Sequence, residues 1–549
     1  MPLRHLLCAT ATLALAAPAL AQASAPAADE TDAAEIIVTA QKREERLQDV
    51  PVTITAYSGR TLRELGITQF DQLSSYVPGI NIQEQSPNNP GFVIRGITSD
   101  SGSSQEAPRV TVYSNGIDVS RSRGSYFDLF DIERVEAVKG PQATLFGTAA
   151  AIGAISVISR RPEPGLGAEF RAGVGNFAQR RFDAIANYGS DSFGIRAAMS
   201  FKKRDGVVRN IAGEPNSQSP GGRRVADLNG QDQLGARLTL TLAPTDALSM
   251  DLIVTYDRQR NPDTSFKSGS LPPTGGTTSP YSFAEISGSP FSALVLGLPE
   301  PALERDVWDV NGQLRYDLGG GFDLTVIAGA RGFDSLEVFD ADGSQAFYLE
   351  FAEDAFGSQK SFEGRIAWDG EGAGLPVRAF AGANYFAERG TQRVPFSTEE
   401  GTYIACTRNP AFAPLQAAIG NPPCVAPNGT IPSAGATRLL TGGRFTSLPY
   451  SSEFANKGEI RTVSLFADVT VTPFEALDLT AGIRWLTEER KSGFFARQPN
   501  SAILAGLGIN TALLPAVDTR GQTFRDRDTN DAVLPRFNAL LRVGGGVNL

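Results

Sequence analysis

Apolar and polar residues alternate one by one through much of the chain from about Ala168 onward. Trp308-Asp309-Val310-Asn311-Gly312-Gln313-Leu314-Arg315-Tyr316 keeps one side apolar and the other polar at nearly every step. Val463–Val471, Leu477–Trp485, Phe182–Tyr188, Leu252–Tyr256, Phe362–Trp368 and Val377–Tyr385 follow the same rule. Successive side chains of a strand point to opposite faces, so this period predicts strands with one greasy and one wet face. A soluble sandwich would alternate in the same way, and length and connections separate the two. Several runs reach nine or more residues. Soluble strands average ~5–6 residues, whereas ~9–11 are needed to cross a bilayer. The links alternate between tight turns (189–192, 244–247, 319–321, 473–476) and long polar loops expected at Asp205–Gly230, Asn261–Glu304, Gly390–Gly458 and Ser492–Asp531. Short turns at one rim and long loops at the other are the pattern of a transmembrane barrel. Trp308, Tyr316, Trp368 and Trp485 stand at strand ends, where an interfacial girdle would lie.

The stretch from Gln41 to about Glu163 has a different texture, that of a compact α+β domain. Val52–Tyr57 alternates like a strand, and Thr61–Leu65 and Thr68–Tyr76 read as short helices stopped by Gly66 and by Val77-Pro78-Gly79. Short strands are expected at Ile80–Gln83, Phe92–Arg95, Val110–Tyr113 and Ile132–Lys139. Ahead of this domain lies Glu35-Ile36-Ile37-Val38-Thr39-Ala40, an apolar run between an acidic, Ala-rich segment and Gln41-Lys42-Arg43-Glu44-Glu45-Arg46. With no core in its immediate flanks, it is expected either to add as a strand to another protein or to form a first strand of its own domain.

About twelve strands are expected before the chain reaches Gly544-Gly545-Gly546-Val547-Asn548-Leu549, which reads as a turn entering another strand. At ~4.8 Å spacing and ~40° tilt, twelve strands close to a diameter of ~24 Å and twenty-two to ~44 Å. A domain of ~120 residues is ~35 Å across. Only the larger barrel holds it, so the chain is expected to stop partway round its barrel. The alternative is a small complete barrel beside a separate domain.

Composition adds three constraints. Arg4 and His5 followed by Leu6–Leu20 and Ala19-Leu20-Ala21 read as a cleaved secretory signal over residues 1–21, leaving 22–34 as a linker. Cys8 falls inside that signal, so Cys406 and Cys424 are expected to pair in an oxidising compartment, two free thiols being the alternative. The net charge of −10 and the lack of a basic block exclude a nucleic-acid partner.

Several motifs carry a family resemblance. They are Glu35–Ala40, Asp49-Val50-Pro51-Val52-Thr53-Ile54-Thr55-Ala56, Val77-Pro78-Gly79-Ile80 and Phe92-Val93-Ile94-Arg95-Gly96-Ile97. The most specific block runs from Asp131 through Arg134, Glu136, Lys139, Gly140, Pro141 and Gly147, and resumes at Gly153–Ile158. In this order they resemble a TonB-dependent outer-membrane receptor. The resemblance implies a membrane β fold in which an α+β plug (41–163) sits inside an antiparallel barrel of 22 strands, present here as a partial barrel over 164–549. It also implies outer-membrane lipid as surroundings, a monomer, and TonB as the partner that pulls on Glu35, Ile36, Ile37, Val38, Thr39 and Ala40, the TonB box. Two departures stand out: Thr148–Ile152 lacks an Arg-Asn start and an extra Gly common in the family, and Asn115 replaces a usual Asp.

The residues themselves place Arg134 and Glu136 on one strand face, either against a polar lumen wall or as a salt bridge inside the plug. Gly140, Gly147 and Gly153 suit turns and close backbone approach; Arg95, Gly96, Lys139 and Pro141 complete the structural set.

The cargo is less constrained. The single His is His5, and only Met199 and Met250 follow the signal, so a haem or soft-metal site built from His or Met clusters has no ligands here. No resident cofactor or metal is expected, and iron should arrive already chelated. Arg121, Arg123, Tyr126 and Phe127 would suit an anionic aromatic ferric chelate, or else are solvated loop residues. A ferric siderophore is therefore the expected cargo, with oligosaccharide or cobalamin-like ligands and a passive channel as alternatives. GxSxG, P-loop and HExxH motifs are absent from the sequence, and an enzyme is not expected.

Overall fold

The computed structural model describes residues 36–543 except Ala40, Gln85, 100–102, Ala107, 148–149, 220–223, Asp263, Pro290 and 515–516. The signal segment, residues 22–34, Glu35 and the final 544–549 run lie outside the described residues. Two short strands, β1 (Ile37–Val38) and β2 (Glu45–Arg46), come first. The plug proper holds β3 (Ile54–Ser58), β4 (Ile80–Glu84), β5 (Pro90–Ile94), β6 (Ile97–Ser99), β7 (Val110–Ser114), β8 (Ile117–Asp118), β9 (Ile132–Lys139) and β10 (Gly153–Ser159). A five-stranded sheet of order β3-β9-β10-β7-β8 packs beside a β4-β5-β6 meander. Helices Gly59–Glu64 and Phe70–Ser74 cover this layer, the first opened by the Ser58 hydroxyl accepting the Thr61 amide. Phe70, Leu73, Ile94, Val112, Val135, Ile155 and Tyr126 fill the core between them.

A single antiparallel sheet of twelve strands follows in chain order. It comprises β11 (Gly165–Gly175), β12 (Gln179–Gly189), β13 (Phe193–Arg204), β14 (Gln231–Thr245), β15 (Leu248–Pro262) and β16 (Ala302–Gly319). It continues with β17 (Phe322–Asp340), β18 (Glu350–Gly372), β19 (Leu375–Glu399), β20 (Pro449–Phe474), β21 (Leu477–Arg497) and β22 (Phe524–Leu541). Among the described residues β11 and β22 form its two edges, and the wall they bound is open. The alternation sorts as expected. In β20, Ser464, Phe466, Asp468 and Thr470 are buried towards the plug, while Val463, Leu465 and Val469 are exposed outward. Trp308 and Trp485 lie towards the long-loop end of the apolar outer face, and Tyr316 and Trp368 towards the short-turn end.

The strands are much longer than a membrane requires. β19 and β20 run for 25 and 26 residues. At ~3.3 Å per residue and ~40° tilt, the longest rises ~65 Å, against an apolar band of ~25 Å. The expected loop Gly390–Gly458 is therefore corrected: strand pairing continues through Glu399↔Pro449, and only residues 400–448 form a cap. Helices Glu400–Cys406, Ala413–Ala418 and Ala436–Leu440 build that cap, and Cys406 and Cys424 are joined in a disulfide. Two buried carboxylates stitch it down. Glu399 accepts from the Thr402 and Leu448 amides at 2.7 and 3.0 Å. Glu400 accepts from the Ser501 hydroxyl and the Ala502 and Ile503 amides at 2.6–2.8 Å.

Candidate functional site at the plug, its tail and the inner wall

The wall grips the plug mainly through arginines reaching plug carbonyls and carboxylates. Arg196 of β13 makes a bidentate pair with Asp131 at 2.6 and 2.8 Å. Arg237 of β14 donates to the Phe130 carbonyl at 3.0 Å and stacks over the Phe130 ring. Arg305 of β16, fully buried, donates to the Pro87 and Tyr126 carbonyls at 2.6 Å and pairs with Asp257. Arg331 of β17 reaches the Val119 and Gly124 carbonyls, and Arg484 of β21 reaches those of Thr144 and Leu145. Lys202 pairs with Asp128 at 3.2 Å. None of these wall cations had been singled out from sequence. Arg196, Arg237, Arg331 and Arg484 sit between apolar or glycine outward neighbours, whereas Lys202 adjoins Lys203 and Arg305 lies between Glu304 and Asp306, so alternation gives the inward side without a partner.

The expected site residues distribute as follows. Arg134 and Glu136 of β9 pair with each other, Nε to Oε1 at 2.9 Å, so of the two open readings the bridge internal to the plug is the one realised. Lys139 donates to the Pro78 carbonyl at 3.1 Å. Arg95 and Gly96 form a tight turn with φ of 51° and 82°. Gly140 and Gly147 have positive φ. A Cβ on Gly153 would stand 2.6 Å from the Val138 carbonyl, which explains the close approach. Pro141 leads into the short helix Ala143–Phe146.

Arg121, Arg123 and Tyr126 are buried in this conformation and Phe127 is half-buried, so they are not solvated loop residues; Arg121 lines a cavity with Lys42, Asp118 and Glu388. Arg121 is buried, pairs with Glu388 of β19 and donates to the Ser103 and Glu106 carbonyls at 3.1 and 2.8 Å. Arg123, 1% exposed, bonds the Asn88 carbonyl at 3.1 Å and Glu353 at 2.5 Å. The Tyr126 hydroxyl donates to Asp71 at 2.7 Å, and Phe127 packs edge-on against Phe70. These side chains lock the plug to itself and to the wall. Beside them, burial pushes the Asp118 carboxyl up to about 6 despite the hydrogen bonds it accepts from Ser120.

Of the two readings open for the apolar tail, this conformation has the strand within its own domain. Sequence suggested that nothing nearby could bury it, yet β1 pairs antiparallel with β2, Ile37 opposite Arg46 and Val38 opposite Glu45. Val38 is fully buried against Val50 and Ala56, flanked by Leu47, Val52 and Ile54. The physical reason is a reversal at the polar residues 41–44, which folds the run onto the apolar stretch downstream. The Thr39 amide then donates to Glu136 Oε1 at 2.9 Å, the same oxygen that Arg134 holds. Ile36–Thr39 is therefore docked on its own plug; Glu35 and Ala40 lie outside the described residues.

The reversal is held to the short-turn mouth of the wall. Lys42 pairs with Glu363, Glu45 with Arg378 at 3.4 Å, and Arg536 donates to Gln41 at 3.2 Å. Burial brings the Lys42 ammonium down to about 8, with Glu363 opposing the shift. Lys42 also lies over the Phe466 ring, and Arg43 donates to the Thr470 hydroxyl at 3.4 Å.

A family model described as "TonB-dependent Receptor Plug Domain" matches residues 46–154. The pesticin receptor of Yersinia pestis is 32% identical over 151 residues, which cover 27% of this chain and 21% of that protein. The ferrichrome outer membrane transporter/phage receptor of Escherichia coli K12 is 26% identical over 219 residues, covering 38% of this chain and 27% of that one. Among solved structures, the ferric yersiniabactin uptake receptor of Yersinia pestis superposes with a TM-score of 0.64 at 18% identity, over 90% of this chain and 63% of that one. The chain thus spans less than two thirds of the solved relative, and the structural likeness carries the fold.

Proposed function

We propose that this chain is a TonB-dependent outer-membrane receptor, its plug at residues 46–154 matching that family's plug model and seated against a barrel wall, and that it takes up a ferric siderophore across the outer membrane. The carrying observation is the plug itself, filling the concave side of the wall and bonded to strands from β13 to β22. A passive channel has no use for such a block. Energy must reach the plug to open a path, and Ile36–Thr39 is the segment proposed to receive it, by leaving β2 and pairing edge-on with TonB. The tail is held by a two-residue ladder, the buried Val38 and one carboxylate contact, and a longer strand partner can take the place of the ladder. The siderophore class is supported by what the relatives carry: their names include ferrichrome transport and ferric yersiniabactin uptake. Contacts to the cargo are proposed to come from the long-loop end, since Arg121, Arg123 and Tyr126 are committed elsewhere.

Uptake would be tested by deleting the gene and measuring growth on a panel of ferric siderophores, cobalamin and oligosaccharides as sole sources. Selective loss on one or more ferric siderophores is expected. Loss confined to cobalamin or an oligosaccharide would overturn the cargo class while keeping the receptor.

A further inference from the structure

The long-loop end holds a set of buried carboxyls with no cation among them. Asp340 closes β17, Glu350 opens β18, and the ladder sets the two directly opposite each other. Both are buried, and like charges at opposed ladder positions repel. Asp342, in the turn that joins the strands, lies within hydrogen-bonding reach of the Asp340 carboxyl. Among the described residues no Lys or Arg pairs with any of the three, and Glu350 Oε1 is buried without a partner. Loop 264–289 offers the Ser265 hydroxyl to the Asp340 amide at 3.1 Å and its Ser289 amide to Glu350 Oε2 at 3.0 Å. Lys267 of that loop turns to the Thr277 carbonyl at 3.1 Å. Glu285 of the loop and Glu399 and Glu400 of the cap are taken up by backbone amides. Tyr348 of the turn faces Asp342, and Arg408 of the cap acts on Tyr348. Two carboxyls in hydrogen-bond contact need a proton between them. Asp340 Oδ1 already accepts the Asp342 and Gly343 amides at 3.0 and 2.8 Å, and Asp342 accepts the Leu349 amide at 3.0 Å and the Ser344 hydroxyl. The shared proton completes the turn. Burial, and then the neighbouring carboxylates, push the Asp340 carboxyl well above its ordinary 3.8, and burial pushes that of Asp342 up to about 6. The pair stands outside the bilayer: Trp308 of the girdle pairs with Gly332, and Asp340 lies eight residues further along β17, a rise of about 20 Å.

The same turn ties the loops above the plug together. A Cβ on Gly343 would stand 2.4 Å from the Phe266 carbonyl, and the Gly343 carbonyl accepts the Ser268 amide at 2.9 Å. Gln345 Nε2 bridges that loop to the cap, donating to the Pro272 and Gly429 carbonyls at 3.2 and 2.6 Å. Just beneath, Ser86 and Asn88 at the top of the plug are buried and bond Glu337 and Ser335 of β17 at 2.9 and 2.5 Å. We propose that the turn 341–349 is a proton-operated catch on the loops over the plug. With one proton shared between Asp340 and Asp342, the turn holds loop 264–289 and the cap closed. When that proton passes to solvent, two buried carboxylates repel, the turn lets go, and the top of the plug opens. The closed catch keeps a proton that the released turn gives up, so its stability is present at acid pH and lost as pH rises through the raised values. What enters rests on the uptake reading above, whereas the catch is a property of the loops alone.

Hydrogen exchange of the full chain in detergent micelles tests this, with no cargo present, read by mass spectrometry from about pH 5 to about pH 9 and corrected for the intrinsic pH dependence of exchange. Protection of 341–349 and 264–289 should fall at least about tenfold across that range, and protection of 86–92 should fall with it, while β20 and β21 stay unchanged. Asp340→Asn puts an amide donor where the shared proton sits, so its protection should vary by less than about threefold over the range. Glu350→Gln removes the carboxylate opposite Asp340 and keeps both partners of the proton, so loosening should begin at lower pH than in the parent. Equal protection of the parent turn at both ends of the range would overturn the catch. So would an Asp340→Asn slope equal to the parent's, a Glu350→Gln midpoint that stays or rises, or a loosened turn over an unchanged 86–92. None of these readings involves a siderophore, so loss of that cargo class in the growth panel leaves the catch standing.

Discussion

Glu136 concentrates several roles in one carboxylate. It is 1% exposed, sits mid-strand in β9, and accepts from both the Arg134 guanidinium and the Thr39 amide. Glu136→Ala should free the tail without unfolding the plug, because Arg134 retains Glu133 as a partner. A hydrogen bond to a charged group contributes about 1.5–3 kcal/mol, so amide exchange at Val38 and Thr39 should accelerate by roughly ten- to a hundredfold. Hydrogen exchange read by mass spectrometry checks this, with Glu136→Gln giving a smaller change. Asp118 supplies a pH signature. Its carboxyl is held up at about 6 by burial, above the ordinary 3.8, so the folded state keeps a proton that the unfolded chain has released between those values. Stability from this group is accordingly present near pH 4 and lost as pH rises through about 6. Asp118→Asn should flatten that slope and leave the protein about 1–2 kcal/mol more stable at pH 7.5, as read by calorimetric melting at both pH values. Sequence placed Arg134 and Glu136 on one face but left the bridge open, since strand parity says which side a residue takes and not what meets it.

At the scale of elements, period-two alternation made the wall legible almost strand by strand. Ile132–Lys139 in the plug has the bounds expected from its flanking turn residues. What the pattern hid was strand height. Above the lipid belt, the outward faces of β19 and β20 carry Arg389, Arg393, Lys457 and Glu453, so polarity there reads as loop although the ladder continues. The tail's own-domain pairing is hard to read for a related reason: the apolar surface that buries Val38 lies beyond a polar reversal, outside the window in which a local core is sought. The cap over 400–448 packs Tyr403, Ile404 and Phe412 into an apolar cluster with Phe396, Tyr450, Ile503 and Leu504, and the disulfide and the two carboxylates add to that packing. Replacing Cys406 and Cys424 with Ser should remove about 3 kcal/mol of cap stability by the loop-entropy estimate. Thermolysin cleavage within 407–445 should then accelerate at least about tenfold, with the wall strands uncut.

At the scale of the whole molecule, a plug with its own core is fastened by buried arginines to a wall that curves around it, and a short tail is latched at the short-turn mouth. The fold class was legible because the plug motifs and the alternating runs occupy separate stretches. The wall cations, above all Arg305 and Arg484, were not, because inward Arg on a barrel strand resembles any polar position until its plug partner is known. Arg484→Ala should loosen the plug at Thr144 and Leu145, raising exchange there by about tenfold while β20 to β22 stay protected. The tail is proposed to be where work enters. The most direct test is deletion of Ile36–Thr39 from the chain in cells, followed by uptake and surface binding of the iron-55 chelate identified from the growth panel. Binding is expected to persist and energised uptake to fall to the level of cells lacking TonB. Uptake that continues at the parental rate after the deletion would contradict it.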